Sequence, residues 1–289
     1  MNRLLVKVTR ATLPQVKDKY PFLYLERGRL EVDDSSVKWI DCDNNVVRLP
    51  IATIGTLLLG PGTTLTHEAV KVLASANCGV CWVGEDSLIF YAAGHTPTAD
   101  TRHFRQQMEL ACDQGKALEV ARRMFAIRFP AVEVAGKNLK EMMAMEGYRV
   151  RQLYEAMAEK YRVGWQGRSY EPGKFAMADM TNRILTSANA ALYGILLSCI
   201  HALGYSPHIG FVHSGSPLPF VYDIADLYKE HLCIDLAFSA TREMAGTYNR
   251  ATVANAFRAR VVDQDLLAKI PADIEQVLYG GKHAGGSCQ

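Results

Sequence analysis

The chain of 289 residues lacks an uninterrupted apolar run near the about 18 residues that a membrane-spanning helix needs. Charged residues interrupt the short apolar stretch at its start, so we expect no signal peptide. Internal repeats and low-complexity tracts are also lacking, and a hydrophobic content of 49% with 21% charged residues is typical of a globular protein. These features predict a folded cytoplasmic protein without a membrane segment, long enough for two domains.

Cysteine is scarce and scattered. The chain has seven cysteines, an odd number, which fits a reducing cytoplasm better than a disulfide framework. Cys78 and Cys81 have the CxxC spacing of redox and zinc sites, but there is no second CxxC to complete a zinc site. Because the pair lies in an apolar, strand-like run, we interpret both cysteines as buried strand residues.

A nucleotide-binding phosphate loop is also lacking. Residues 60–64 read Gly-Pro-Gly-Thr-Thr, and the Gly-Lys-Ser/Thr ending of such a loop does not follow. The segment is therefore interpreted as a plain turn.

The first ninety residues are rich in short apolar runs separated by turn residues, which predicts strands. We expect a hairpin within 22–32 that turns at Arg27-Gly28, and a second hairpin with strands at 37–40 and 46–51. Further strands are expected at 54–59, 79–83 and 87–92. Thr66 is suited to cap a helix over 66–76.

Helical periodicity dominates the rest of the chain. We expect helices from Asp100 to about residue 129, over 137–161, from Asp179 to a C-cap at Gly204, and shorter ones to about 278. A loop or small hairpin is expected at 164–174. The sequence therefore predicts an α+β protein with a β-rich N-terminal domain at 1–93, a linker at 94–100, a helical domain at 101–279 and a disordered tail at 280–289.

The most informative chemistry lies in residues 208–229. His213 sits on a turn rich in Gly, Ser and Pro, and Asp223 and Asp226 follow at a spacing that places them on one face of a helix. A cation would offset the repulsion and desolvation of two such carboxylates, so a cation site is one interpretation. The other is local structure, in which Asp223 caps or pairs nearby and His213 bonds to a loop backbone.

Glu146 is a candidate third ligand, because it is an isolated acid in an apolar helical segment. It also has an ordinary alternative. Arg149, three residues on, could form a helix ion pair with it. The residues alone leave both interpretations open.

Basic and aromatic residues surround these positions. Phosphate neutralisation combined with stacking surfaces is typical of proteins that hold nucleic-acid strands. A solvated, salt-bridged helix face is the alternative for each run of arginines. The candidate DNA contacts are Arg149, Arg151, Trp165, Arg168, Tyr170 and Lys229. Five further arginines, at positions 102, 105, 122, 123 and 128, lie on the first long predicted helix and add to the basic character of this region.

Four motifs together resemble one known family. They are Met-Glu-Gly-Tyr-Arg-Val-Arg at 145–151, Leu-Tyr-Gly at 192–194, Ile-Gly-Phe-Val-His-Ser-Gly at 209–215 and Pro-Phe-Val-Tyr-Asp-Ile-Ala-Asp at 219–226. The chain resembles CRISPR-associated protein one, the integrase of spacer acquisition, and within it the type I-E branch.

The resemblance implies an N-terminal β-sandwich-like domain followed by a helical domain. It places metal ligands for Mg²⁺ or Mn²⁺ at Glu146, His213 and Asp226, with Asp223 supporting the site and Tyr193 near the active centre. The family forms homodimers, two of which flank a dimer of CRISPR-associated protein two on double-stranded DNA. The implied reaction is attack of a prespacer 3′-hydroxyl on a phosphodiester of the CRISPR array. A stand-alone metal-dependent nuclease and a non-enzymatic scaffold are the rival functions.

Overall fold

A computed structural model describes residues 19–20, 22–34, 36–84, 90–94, 101–169, 178–244 and 246–281. The strand-rich part precedes the helical part, which confirms the predicted α+β class. Its strands are β1 (Leu23–Leu25), β2 (Gly28–Asp33), β3 (Ser36–Asp41), β4 (Val46–Leu49), β5 (Thr56–Leu59), β6 (Thr63–Leu65), β7 (Gly79–Val83) and β8 (Phe90–Gly94). Its helices are α1 (His67–Ser75), α2 (Arg102–Cys112), α3 (Gln114–Arg128), α4 (Leu139–Tyr161), α5 (Met180–Ala202), α6 (Pro219–Ala225), α7 (Asp235–Met244), α8 (Arg250–Asp263) and α9 (Leu266–Tyr279).

The strands form two four-stranded sheets. In the first, with the order β1-β5-β7-β8, the first three strands are parallel and β8 runs antiparallel to β7. In the second, with the order β4-β3-β2-β6, only β2 and β6 are parallel. Apolar side chains of both sheets and of α1 share one core, which includes Leu30, Trp39, Leu57 and Leu73. The strand-rich part is therefore two packed sheets, as expected for a sandwich-like domain.

The hairpin predicted within 22–32 is wrong, because β1 and β2 belong to different sheets. The chain crosses between the sheets at Arg27, which has a left-handed φ of 53°. Strand β1 pairs with β5, and β2 pairs with β6. The chain crosses between the same two sheets at Gly60–Gly62, where the Gly62 carbonyl accepts a hydrogen bond from the Gly28 N–H at 3.1 Å. The segment interpreted as a plain turn thus also begins strand β6.

Strand β5 is buried on both faces, which explains its continuous apolar sequence. Leu57 and Leu59 face the core between the sheets, and Leu58 belongs to the core that the helices form. On the neighbouring β7, a side chain at Gly79 would meet the Ser198 hydroxyl of α5 at 2.3 Å. The first sheet therefore packs closely on α5 and connects the two parts of the protein.

Cys81 lies on β7 and Cys78 directly precedes this strand, as predicted. Cys78 packs into the core between the sheets and Cys81 into the helical core, so the two thiols lie on opposite faces of the sheet. Burial raises the pKa of both thiols to about 12. Neither a zinc site nor a reactive thiol pair is compatible with this placement.

The single helix predicted from Asp100 to residue 129 is wrong, since the chain forms α2 and α3 there. Asp113 adopts an extended conformation between them and its carboxylate accepts a hydrogen bond from the Lys116 N–H at 3.0 Å. An aspartate followed by Gln and Gly favours such an N-cap over a helix interior. The break turns α3 so that its last residue, Arg128, reaches the site described below.

The other two long helices are confirmed. Helix α4 begins after Asn138, which forms a capping box with Glu141, and α5 begins after Asp179, whose carboxylate accepts from the Asn182 N–H. Helix α5 is long and apolar enough to span a membrane, but 78% of its most hydrophobic window is buried inside the protein. It is the central core helix, against which α6, α7, α8 and α9 pack.

The predicted domain borders fall between described segments. Strand β8 ends at Gly94 and α2 begins at Arg102, while residues 95–100 lie outside the described residues. Most of the tail predicted to be disordered, residues 282–289, also lies outside them. The division into domains stays a prediction.

Candidate functional site

A cleft of about 840 Å³ lies where α3, α4, α5 and the segment after α6 meet. Its lining contains most of the residues that the sequence singled out. They are Glu146 and Arg149 of α4, Arg168 of the following loop, Tyr193 of α5, His213, Asp226 and Lys229. Of these residues, Glu146 and Lys229 lie furthest apart in the sequence, by 83 positions, and the fold brings them to one surface.

Asp223 holds the loop that carries His213. Its carboxylate is fully buried and accepts hydrogen bonds from the backbone N–H groups of Phe211 at 2.6 Å, Val212 at 3.2 Å and His213 at 3.0 Å. The chain at Gly210 runs so close that a side chain there would meet Pro219 at 2.6 Å. Asp223 thus fixes the loop on α6, as a carboxylate with several backbone donors can.

The same carboxylate orients the imidazole. His213 Nδ1 lies 2.8 Å from Asp223 Oδ1, and since a carboxylate only accepts, Nδ1 carries the proton. In the neutral ring Nε2 then has a free lone pair, and it lies 3.7 Å from Asp226 Oδ2. The hydrogen bond to Asp223 is the main reason that the pKa of His213 is raised above its ordinary value of 6.5. The histidine therefore sits between the two aspartates.

Asp226 immediately follows α6 and its side chain is 8% exposed. Its Oδ1 lies 2.7 Å from Lys229 Nζ, and its Oδ2 lies 3.3 Å from Arg128 Nη1. Burial alone would raise the pKa of Asp226, but the Lys229 ammonium and the Arg128 guanidinium outweigh it and lower the pKa. The carboxylate is therefore ionised and shared between two cations.

Glu146 forms its ion pair with Arg128, and not with Arg149, the partner that one interpretation of the sequence offered. The Arg128 Nη1 atom lies 2.5 Å from Glu146 Oε1, and the two side chains are only 13% and 16% exposed. The Arg149 guanidinium instead lies 5.5 Å from the centre of the Phe129 ring. One arginine thus bridges two of the three predicted metal ligands.

As placed, no three His, Cys, Asp or Glu side chains of the described residues are gathered tightly enough to hold a metal ion. The chemistry of the donor set nevertheless fits one. Glu146 and Asp226 supply ionised oxygens and His213 supplies an oriented Nε2, which suits Mg²⁺ or Mn²⁺ with water completing the shell. The carboxylates already attract the cations Arg128 and Lys229, so a positive charge is favoured at this point.

Tyr193 lies on the α5 wall of the cleft. Its ring packs edge-to-face on Tyr222 with centroids 5.0 Å apart, and Lys229 Nζ lies 5.2 Å from its centroid. Lys229 is itself deep in the site, where burial disfavours the ammonium but Asp226 and Tyr193 raise its pKa. Tyr193 is therefore linked to Asp226 through the lysine.

The predicted DNA contacts have different surroundings. Arg168 lines the cleft and donates to Asn182 Oδ1 at 2.7 Å and to Thr186 Oγ1 at 2.9 Å. Trp165 stacks on Tyr154 and meets Phe238 edge-on, so much of its ring belongs to the core. Arg151 is exposed on α4, and Tyr170 lies outside the described residues. Their contacts with DNA stay predictions.

Comparison with known proteins gives the family. The sequence model of CRISPR associated protein Cas1 matches residues 127–256, a span that contains Glu146, His213 and Asp226. CRISPR-associated endonuclease Cas1 2 of Chlorobaculum tepidum is 67% identical over 96% of this chain and 93% of its own. The chain belongs to the Cas1 family. The Cas1 endonuclease of Escherichia coli is 35% identical over 92% of this chain and 87% of its own, and the type I-E branch stays a prediction.

Solved structures agree with this Cas1 assignment. The crystal structure of a TtCas1–DNA complex is 36% identical to this chain, with a TM-score of 0.67 over 93% of this chain and all of that one. A casposase bound to an integration product has a TM-score of 0.72 over 90% of this chain and 91% of that one, at 16% identity. At 16% identity, the similarity to the casposase concerns the fold alone.

Sequence reasoning missed two polar side chains near the Cas1 cleft. Gln107 of α2 is fully buried, and its amide bonds to Ser206 N–H and to the carbonyls of Ser206 and Ile209 at 2.8–2.9 Å, which fastens the His213 loop from its other side. Asn189 lines the cleft, and its buried Oδ1 has no hydrogen-bond partner among the residues that the structure describes. No local pattern marks Gln107, because its partners are about a hundred residues away.

Asp223→Asn tests the support of His213. The amide presents donors to backbone N–H groups, so we expect the free energy of unfolding to fall by about 3–5 kcal/mol. The pKa of His213 should fall as its carboxylate partner disappears. In the unmodified protein, the His213–Asp223 pair contributes its full stabilisation at pH values below the pKa of His213 in the unfolded chain, about 6.5. This contribution is lost as the pH rises through the raised pKa that His213 has in the folded protein.

Urea unfolding and imidazole NMR titration in the presence of EDTA measure both effects. Asp263→Asn is the control, because Asp263 is exposed and its replacement should change stability by no more than about 0.5 kcal/mol. A His213 pKa that does not move in Asp223→Asn would contradict the assigned hydrogen bond.

Proposed function

We propose that this chain is a metal-dependent DNA integrase of CRISPR adaptation with an associated endonuclease activity. The observation that carries the proposal is the meeting of His213, Glu146 and Asp226 in one cleft lined by basic side chains. The imidazole has its Nδ1 held by Asp223, and both carboxylates are drawn to cations. Such a site is suited to phosphodiester chemistry on DNA.

Glu146, Asp226 and Nε2 of His213 would hold Mg²⁺ or Mn²⁺. When bound, the ion supplies Lewis acidity that polarises the scissile phosphate. Asp223 keeps the imidazole in the tautomer that presents Nε2, and Lys229 keeps Asp226 ionised. Arg149 and Arg168 on the cleft wall would bind phosphate oxygens without reading the DNA sequence.

The reaction is a transesterification. The prespacer 3′-oxygen forms a bond to phosphorus while the bond from phosphorus to the array's own 3′-oxygen breaks. The attacking hydroxyl gives up its proton and the leaving oxygen takes one up. One phosphodiester replaces another, so the step needs no nucleotide energy source, in keeping with a sequence that lacks a phosphate loop.

The family assignment supports this function and its partners. Relatives of this chain are named CRISPR-associated endonucleases, and one related structure is a complex with DNA. We propose that the chain works in the cytoplasm as a homodimer, with two dimers flanking a dimer of CRISPR-associated protein two. Its substrates would be double-stranded prespacer and leader–repeat DNA.

A strand-joining assay tests the proposal. A short duplex with free 3′-hydroxyl ends is incubated with a supercoiled leader–repeat plasmid, the protein and its partner, in Mg²⁺ or in EDTA. We expect covalently joined strands only with Mg²⁺, and none when the duplex ends in a 3′-deoxynucleotide. Free plasmid ends without joining would identify the rival nuclease, and no metal-dependent product at all would favour the scaffold.

A further inference from the structure

Arg128 has a place in the site that neither the motifs nor the proposed reaction assigns. It is the last residue of α3, and its guanidinium lies between Glu146 of α4 and Asp226 beyond α6. The distances from Nη1 are 2.5 Å to Glu146 Oε1 and 3.3 Å to Asp226 Oδ2. These are the two carboxylates that the proposed function gives to the metal ion.

The arrangement has an electrostatic cause. Two partly buried carboxylates repel each other and are costly to hold together without a positive charge. Of the two carboxylates, Lys229 forms an ion pair with Asp226, through Oδ1, and Arg128 is the cation that joins Asp226 to Glu146. A guanidinium suits this position because it remains charged and offers several donors in one plane.

The guanidinium also has a second contact available. Its central carbon lies 5.0 Å from the centre of the adjacent Phe129 ring and 6.0 Å from that of Phe125. A cation above aromatic faces retains a favourable interaction when its carboxylate partners are lost. Arg128 can therefore leave the carboxylates without becoming an unpaired buried charge.

We infer that Arg128 competes with the divalent cation for Glu146 and Asp226. Without metal it holds the two carboxylates together, and it withdraws from them when the cation binds. This inference rests on the proposed function, since it concerns the same site. Its consequence is that the protein binds metal more weakly than its donor set alone would allow, because binding must first break the arginine pairs.

Calorimetric titration of the metal-stripped full chain with Mn²⁺ tests the competition. We expect Arg128→Gln to bind Mn²⁺ about tenfold more tightly than the unmodified protein, within the usual range of coupling between two ligands. Arg149→Gln is the matched control, because Arg149 lies over the same Phe129 ring, whereas the ion pair of Glu146 is with Arg128. It should shift the affinity by no more than about twofold, the effect of one nearby charge at this exposure.

Thermal unfolding supplies a readout that needs no activity. In EDTA, Arg128→Gln should have a lower melting temperature than the unmodified protein. Addition of Mn²⁺ should raise the melting temperature of Arg128→Gln by more than it raises that of the unmodified protein. If Arg128→Gln does not fold, Arg128→Lys replaces it, with a smaller gain in affinity expected.

The outcomes separate the two proposals. Unchanged or weaker Mn²⁺ binding by the Arg128 variant, with ordinary binding by the unmodified protein, would overturn the competition and leave the metal site standing. Failure of all the proteins to bind Mn²⁺ would overturn the metal site and the competition together.

Discussion

His213→Ala should abolish strand joining while the chain stays folded and still binds DNA. We expect a loss on the order of 10³-fold or more, because the change removes the only nitrogen donor of the proposed ligand set. The side chain is 29% exposed and lies at the cleft, so its loss should leave the core intact. Joined product is measured with the leader–repeat plasmid, and folding with circular dichroism.

His208→Ala is the matched control for this prediction. His208 belongs to the same loop, is exposed, and its Nδ1 contacts the Pro217 carbonyl at 2.9 Å instead of a carboxylate. Its replacement should keep joining within a few-fold of normal. Normal joining by His213→Ala would remove His213 from the metal site.

Glu146→Ala should lose activity on a similar scale, on the order of 10³-fold, whereas Tyr193→Phe should lose only about tenfold. Removing Glu146 deletes a charged ligand and leaves Arg128 paired with Asp226 alone. Removing the Tyr193 hydroxyl keeps its ring, which packs on Tyr222 and faces Lys229. The tyrosine therefore acts through Lys229 in our account.

Strand joining by both variants, measured in parallel at equal protein and Mg²⁺ concentrations, shows which substitution causes the larger loss of activity. A complete loss in Tyr193→Phe, equal to that of Glu146→Ala, would instead make the tyrosine hydroxyl a direct participant. A mild effect of Glu146→Ala would exclude Glu146 from the ligand set.

Features that depend on nearby residues could be predicted from the sequence. Asp179 and Thr66 cap the helices expected of them, because a cap bonds only two or three residues ahead. The turn of His213 towards the aspartates is also local, since Asp223 lies ten positions away. In these cases spacing and residue type contain most of the necessary information.

Features that depend on distant partners could not be predicted in the same way. The Arg27-Gly28 turn signal fits a hairpin, but β1 and β2 instead pair with β5 and β6 in separate sheets. Glu146 had a candidate partner at i+3, whereas its actual partner Arg128 reaches it from another helix. That approach depends on the break at Asp113 and on how α3 packs against α4. The break at Asp113 has a local cause in its N-cap, whereas the packing of α3 against α4 is set by tertiary contacts.

The central claim is that Glu146, His213 and Asp226 share one divalent cation. Anomalous diffraction from crystals grown with Mn²⁺ tests it most directly. We predict one manganese peak in the cleft, about 2.0–2.3 Å from a carboxylate oxygen of Glu146, one of Asp226 and Nε2 of His213, with Arg128 withdrawn. A peak held by other residues, or an empty cleft with Arg128 still between the two carboxylates at saturating Mn²⁺, would contradict the account.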